Sequence, residues 1–106
     1  MSFFNRTPSV SVSEAAQKAR VQGSALVDVR MPDEYSSGHA SGAINCPLPS
    51  LSSCFEKLKQ LDTVYVICHS GGRSAAAVSQ MLPHGINAIN VSGGTLAWNA
   101  HGLPLD

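Results

Sequence analysis

Net charge is the first thing this chain lacks: 7 basic residues offset 7 acidic ones, and the pI lies near 6.9. No strong field can then steer nucleic acid, an acidic membrane or any highly charged partner, so an anion preference has to be local. Long apolar runs are missing as well. No window approaches the roughly 18 apolar residues of a membrane span, and residues 1–8 show no charged segment leading into an apolar one, so a cytoplasmic protein without membrane contact is expected. Cysteine is scarce and odd in number. Cys46, Cys54 and Cys68 have no metal-type spacing, which argues against both a disulfide framework and a zinc site. Internal repeats, low-complexity tracts and linkers are absent too. A length of 106 residues with 43% apolar content suits one domain, 1–106, with its own core and residues 1–8 as a short N-terminal extension.

What is present alternates between strand and helix. Val10 ends a first strand, and Ser11 with Glu14 three residues on fits a capping box. Val12, Ala15, Ala16 and Ala19 then share a helical face, with Gly23 as the stop. Residues 25–29 read as a second strand, residues 32–36 as a short helical turn, and residues 43–46 as a third, very short strand closed by Pro47. Leu51, Cys54, Phe55, Leu58 and Leu61 recur at helical spacing and predict an amphipathic helix over 50–61. A strand at 64–67, a helix over 74–82 ended by Pro83 and Gly85, a strand at 88–91 and a short helix from Thr95 to Ala100 complete the chain. Strand and helix in alternation demand right-handed crossovers. The expected fold is α/β, a five-stranded, mostly parallel sheet with helices on both faces.

The chemistry concentrates at residues 64–74. Val64, Val66 and Ile67 carry Cys68 to the carboxyl end of a buried strand, where the crevice of an open α/β sheet binds ligands. Gly71 and Gly72 permit positive φ, so backbone N–H groups from His69 onward can turn inward around the sulfur. The helix that follows aims its N-terminus at the same place. Inward amides, helix dipole and Arg73 all favour negative charge, which predicts a depressed Cys68 pKa beside an anion site. A cysteine ending a core strand is ordinarily an inert small hydrophobe. Here two glycines and an arginine follow it, more than a plain turn requires.

Three motifs, in order and in register, carry a family resemblance. The first is Asp28-Val29-Arg30 followed by Glu34-Tyr35, Gly38-His39 and Gly42-Ala43-Ile44-Asn45. The second is the Cys68 to Arg73 loop, and the third is Gly93-Gly94 with Trp98, Gly102 and Pro104. Over nearly its whole length the chain resembles a stand-alone rhodanese (sulfurtransferase) domain. It departs from that pattern at Ala40-Ser41 and at Cys46, which bear on local packing. Six residues from Cys68 through Arg73 resemble the sulfurtransferase members. The related phosphatases and arsenate reductases have one residue more, a wider cradle for a tetrahedral oxyanion, so phosphatase chemistry is set aside.

The resemblance implies that the Cys68 thiolate takes the outer sulfur of a small sulfur-containing anion such as thiosulfate, releases sulfite and becomes a persulfide. Amides of His69, Ser70, Gly71, Gly72 and Ser74 would hold that anion, with Arg73 fixing the loop and binding the donor's sulfonate end. Cyanide, a thiol or a sulfur-accepting protein would then remove the sulfur. No metal and no organic cofactor are implied. A second class stays open: a binding or persulfide-carrier module that serves a partner with little turnover.

Other polar residues have plainer readings. His69 adjoins the nucleophile, but an amide-stabilised thiolate needs no base. Ser70 is read as shaping the loop. Asp28 and Arg30 are expected to form supporting polar pairing near the sheet's carboxyl end, with Glu34 as a partner for Arg30. His39 is read as a structural hydrogen-bonding residue, Trp98 as a core anchor, and His84 and His101 as exposed. Cys46 and Cys54 can be read as resolving thiols or as inert packing, and packing is favoured.

Overall fold

In the computed structural model, residues 7–106 are described, and the proposed N-terminal extension falls mostly outside them. The sheet is built around Thr63–Ile67 (β4), in which Val64, Tyr65, Val66 and Ile67 are all buried. A strand apolar on both faces needs cover on both, and it takes a central place. Ser24–Asp28 (β2) and Ala88–Val91 (β5) flank it in parallel, while Ser9–Val10 (β1) and Ile44–Asn45 (β3) form the edges. The order is β1-β5-β4-β2-β3, and every pairing among these strands is parallel.

Because strand side chains alternate, the sheet sorts its residues into two cores. Val27, Val29, Val64, Val66 and Cys68 face Phe55–Leu58 (α3) and Gly72–Met81 (α4), meeting Leu51, Phe55, Leu58, Val78 and Met81. Leu26, Tyr65, Ile67 and Val91 face Val12–Lys18 (α1) and Gly94–Ala100 (α5), meeting Val12, Ala15 and Trp98. Each fully buried aliphatic side chain stabilises the fold by about 1.5–3 kcal/mol before chain entropy is charged against it. The chain leaves β2 toward one edge and β4 toward the other. The connections leaving their carboxyl ends therefore diverge, which makes this a topological switch point.

Three local expectations are corrected. Residues 50–61 are not one helix: Leu48–Cys54 is 3₁₀ with a kink at Ser50, and α3 follows it. Pro49 supplies no N–H, and Ser53 Oγ spends its proton on the Ser50 carbonyl at 2.7 Å, so local bonds compete with a regular helix. Leu51, Phe55 and Leu58 are still buried, while Cys54 and Leu61 are only partly so. The first helix ends at Lys18, well before Gly23. Gly23 instead turns at φ 90° with its carbonyl accepting from Asp62 N at 2.7 Å, and a Cβ there would come within 2.3 Å of Asp62 Oδ2. At Ser11 the cap forms in part. Ser11 Oγ accepts from Glu14 N at 3.1 Å, but the Glu14 carboxylate turns to Lys18 Nζ at 2.6 Å.

Candidate active site

Cys68 follows β4 at the switch point, 1% exposed. Gly71 takes φ 117°, a left-handed conformation open to glycine, and this aims its N–H at Cys68 Sγ from 3.1 Å. Ser74, in the first turn of α4, brings its hydroxyl to 3.2 Å from the same sulfur. Burial is the largest influence on the thiol and opposes ionisation. The Ser74 hydroxyl and the N–H groups of Ser74, Gly71 and Ser70 together outweigh it, so the Cys68 pKa is lowered. Gly72 differs from expectation: it begins α4 without positive φ, and a Cβ there would meet nothing within 4 Å.

The loop is held from behind by α5. Thr95 N and Leu96 N donate to the Cys68 and His69 carbonyls at 2.8 and 3.1 Å, and Thr95 Oγ1 adds a bond of 3.0 Å to Cys68 O. With those carbonyls drawn outward, the amides of Ser70, Gly71 and Ser74 are left to act on the sulfur, while those expected of His69 and Gly72 are not among them. Gly94 allows the approach, since a Cβ on it would lie 2.4 Å from His69 O. His69 and Ser70 are exposed, and beside His69 lies a depression of about 230 Å³ lined also by Arg30, Gly38, Thr95 and Leu96.

Two arginines divide the carboxylates differently from the sequence reading. Arg30 forks onto Asp28, Nη2 to Oδ2 at 2.8 Å and Nε to Oδ1 at 3.1 Å, and also donates to Gly38 O at 2.7 Å. Both residues of that pair are buried. Glu34 is the partner of Arg73, with Nη1 to Oε1 at 2.7 Å and Nη2 to Oε2 at 2.9 Å. Hydrogen bonding from Arg73 lowers the Glu34 pKa to about 2. The Arg73 fork is thus engaged by Pro32–Ser36 (α2) and ties that segment to the loop.

Elsewhere, His39 Nδ1 lies 2.9 Å from Tyr35 O and its ring stacks on Tyr35 at 3.7 Å. Trp98 is buried and donates to Pro104 O at 2.7 Å. His84 and His101 are exposed. Cys46 is buried, and burial with a hydrogen bond to Cys54 pushes its pKa up to about 12. Sequence reasoning missed Asn90, a buried polar residue of β5 whose Oδ1 lies 2.5 Å from Ser74 Oγ. The available signal was an asparagine inside an otherwise apolar strand.

The parallel α/β sheet thus carries a cysteine loop at its switch point, with hydrogen-bond donors directed at the sulfur. The chain belongs to the rhodanese-like domain family, whose model matches residues 11–101. It is 36% identical to thiosulfate sulfurtransferase 16, chloroplastic, of Arabidopsis thaliana, across 94% of each chain. A Bacillus subtilis protein named as a candidate sulfur carrier is 34% identical over 86% of this chain and 50% of its own length. Among solved structures, a rhodanese-related protein of Thermoplasma volcanium superposes with a TM-score of 0.83 at 30% identity, over 93% of this chain and 97% of that one. No helix among the described residues is long and apolar enough to cross a membrane.

Proposed function

We propose that this protein moves sulfane sulfur through a persulfide on Cys68. The observation that carries the reading is the pair of donors on one buried sulfur, Gly71 N at 3.1 Å and Ser74 Oγ at 3.2 Å, with the nearby amides of Ser70 and Ser74 also favouring its anion. The Cys68 thiolate attacks the outer sulfur of thiosulfate, an S–S bond forms to Cys68, and the donor's own S–S bond breaks with its electron pair leaving on sulfite. The product is the Cys68 persulfide anion. Cyanide or a thiolate then attacks its terminal sulfur, carries that atom off and returns the thiolate, so the two half-reactions follow ping-pong kinetics. The loop amides hold negative charge on sulfur in both states. Arg73 acts through Glu34 to fix the loop, and Asp28 with Arg30 supports its base. A family relationship alone assigns no substrate. The test is intact mass after incubation with thiosulfate: a gain of about 32 Da in the wild type that is absent in Cys68→Ser. No gain from thiosulfate or polysulfide would overturn the reading.

One observation favours a persulfide carrier over a thiosulfate-turnover enzyme. Both terminal nitrogens of Arg73 are engaged by Glu34, which leaves a sulfonate without that fork. A carrier loads from a polysulfide or protein persulfide faster than from thiosulfate. Loading rates from the two kinds of donor, read by the same mass shift, decide between them.

A further inference from the structure

We propose that Asn90 is a positioning residue for the sulfur chemistry: its carboxamide holds the Ser74 hydroxyl and directs that hydroxyl's one proton onto the Cys68 sulfur. The proposal rests on the reading of Cys68 as the nucleophile and adds a residue on β5 to its support. Ser74 is 0% and Asn90 7% exposed, so water does little to satisfy either group.

The argument is one of proton count. Ser74 Oγ lies 2.5 Å from Asn90 Oδ1, 3.1 Å from Gly71 O and 3.2 Å from Cys68 Sγ, three acceptors for one proton. Gly71 O already accepts from Ala75 N at 3.1 Å. With Asn90 Oδ1 toward Ser74, the carboxamide oxygen at 2.5 Å competes with the sulfur at 3.2 Å for that one proton. That arrangement suits the neutral thiol. A half-turn of the carboxamide exchanges oxygen for nitrogen without changing its shape. Asn90 Nδ2 then donates to Ser74 Oγ, and Ser74 donates to the thiolate. An aspartate can only accept, and an aliphatic residue does neither. The carboxamide serves both protonation states of Cys68 from one position.

The Cys68 pKa, measured in the full chain from the pH dependence of iodoacetamide alkylation, tests this directly. Asn90→Ala is expected to raise it by about 0.5–1 unit, roughly three- to tenfold less thiolate at neutral pH. Asn90→Asp raises it further, because the carboxylate takes the Ser74 proton and adds a like charge. Ser74→Ala also raises it, and adding Asn90→Ala to that variant produces no further shift. An unchanged pKa in Asn90→Ala, or an equal shift with and without Ser74, overturns the proposal. Where Asn90→Ala does not fold, the near-isosteric and uncharged Asn90→Leu decides, and a pKa at or below the wild-type value overturns it. Alkylation needs no sulfur donor, so failure here is distinct from failure of sulfur transfer, which the persulfide mass reports.

Discussion

Arg73 and Glu34 meet fork to fork, at 2.7 and 2.9 Å, across 39 residues of chain. One end of the pair opens α4 at the cysteine loop, and the other lies in α2 beyond the carboxyl end of β2. Each carboxylate oxygen takes one guanidinium nitrogen, so the pair fixes orientation as well as distance.

The pair makes stability depend on acid in a defined window. Glu34 has a pKa of about 2, below its ordinary 4.5, because Arg73 hydrogen-bonds the charged form. The folded value is the lower one, so the contribution is complete above pH 4.5 and is lost as pH falls through 2. Both side chains are about one-third exposed, at 34% and 39%, and solvent screening keeps the gain under about 1 kcal/mol. Urea unfolding should show Glu34→Gln less stable than wild type at neutral pH by that margin. The gap should narrow below about pH 4.5 and vanish near pH 2. A gap independent of pH would contradict the pairing.

The two loop glycines are unequal. Gly71 sits at φ 117°, and alanine there is strained and misdirects the N–H from Cys68 Sγ. Gly71→Ala should cost about 1–3 kcal/mol and raise the Cys68 pKa. Gly72 opens a helix with open space where a Cβ would stand, so Gly72→Ala should be neutral or stabilising by up to about 1 kcal/mol. Thermal melts of the two variants, run beside alkylation profiles, check both statements.

Asp28 and Arg30 carry a larger penalty. Their side chains are 0% and 6% exposed, and removal of the carboxylate strands a guanidinium in the sheet's carboxyl end. Asp28→Ala should therefore destabilise by about 3–5 kcal/mol, and a paired apolar replacement, Asp28→Leu with Arg30→Met, by clearly less. Denaturant unfolding of the single and double variants measures the difference.

Cys68 and Cys46 should react in a fixed order with alkylating reagent. Loop donors lower the Cys68 pKa against its burial, whereas burial and the Cys54 hydrogen bond raise that of Cys46 to about 12. Peptide mapping after a brief exposure at pH 8 should find Cys68 modified and Cys46 untouched until denaturant is added. Modification of Cys46 at the rate of Cys68 would contradict the assignment.

Much of the site was legible because its parts are neighbours in sequence. An apolar run delivering Cys68 to two glycines prescribes a buried strand, a turn and a helix, and the structure builds all three. Glu34 is not the partner of Arg30, because proximity in sequence is not proximity in space. Arg30 already had Asp28 two residues away, and the loop brought Arg73 to Glu34 instead. The helical spacing from Leu51 to Leu61 was real as a pattern of burial. It did not report Pro49 or the serine bonds that tighten the first half into 3₁₀.

By itself, the sequence determined the α/β alternation, the parallel sheet, the placement of Cys68 at a strand end and the family to which the chain belongs. These follow from local periodicity and motif order, which the chain carries along its length. Only the tertiary structure decided which groups share the sulfur and which carboxylate holds which arginine. Asn90 reaches Ser74 because β5 lies beside β4, and Gly94 meets His69 because α5 closes under the loop. A hydrogen bond of 2.5 Å or an ion pair of 2.7 Å depends on where distant backbones cross, and that distance is set by packing of the whole core.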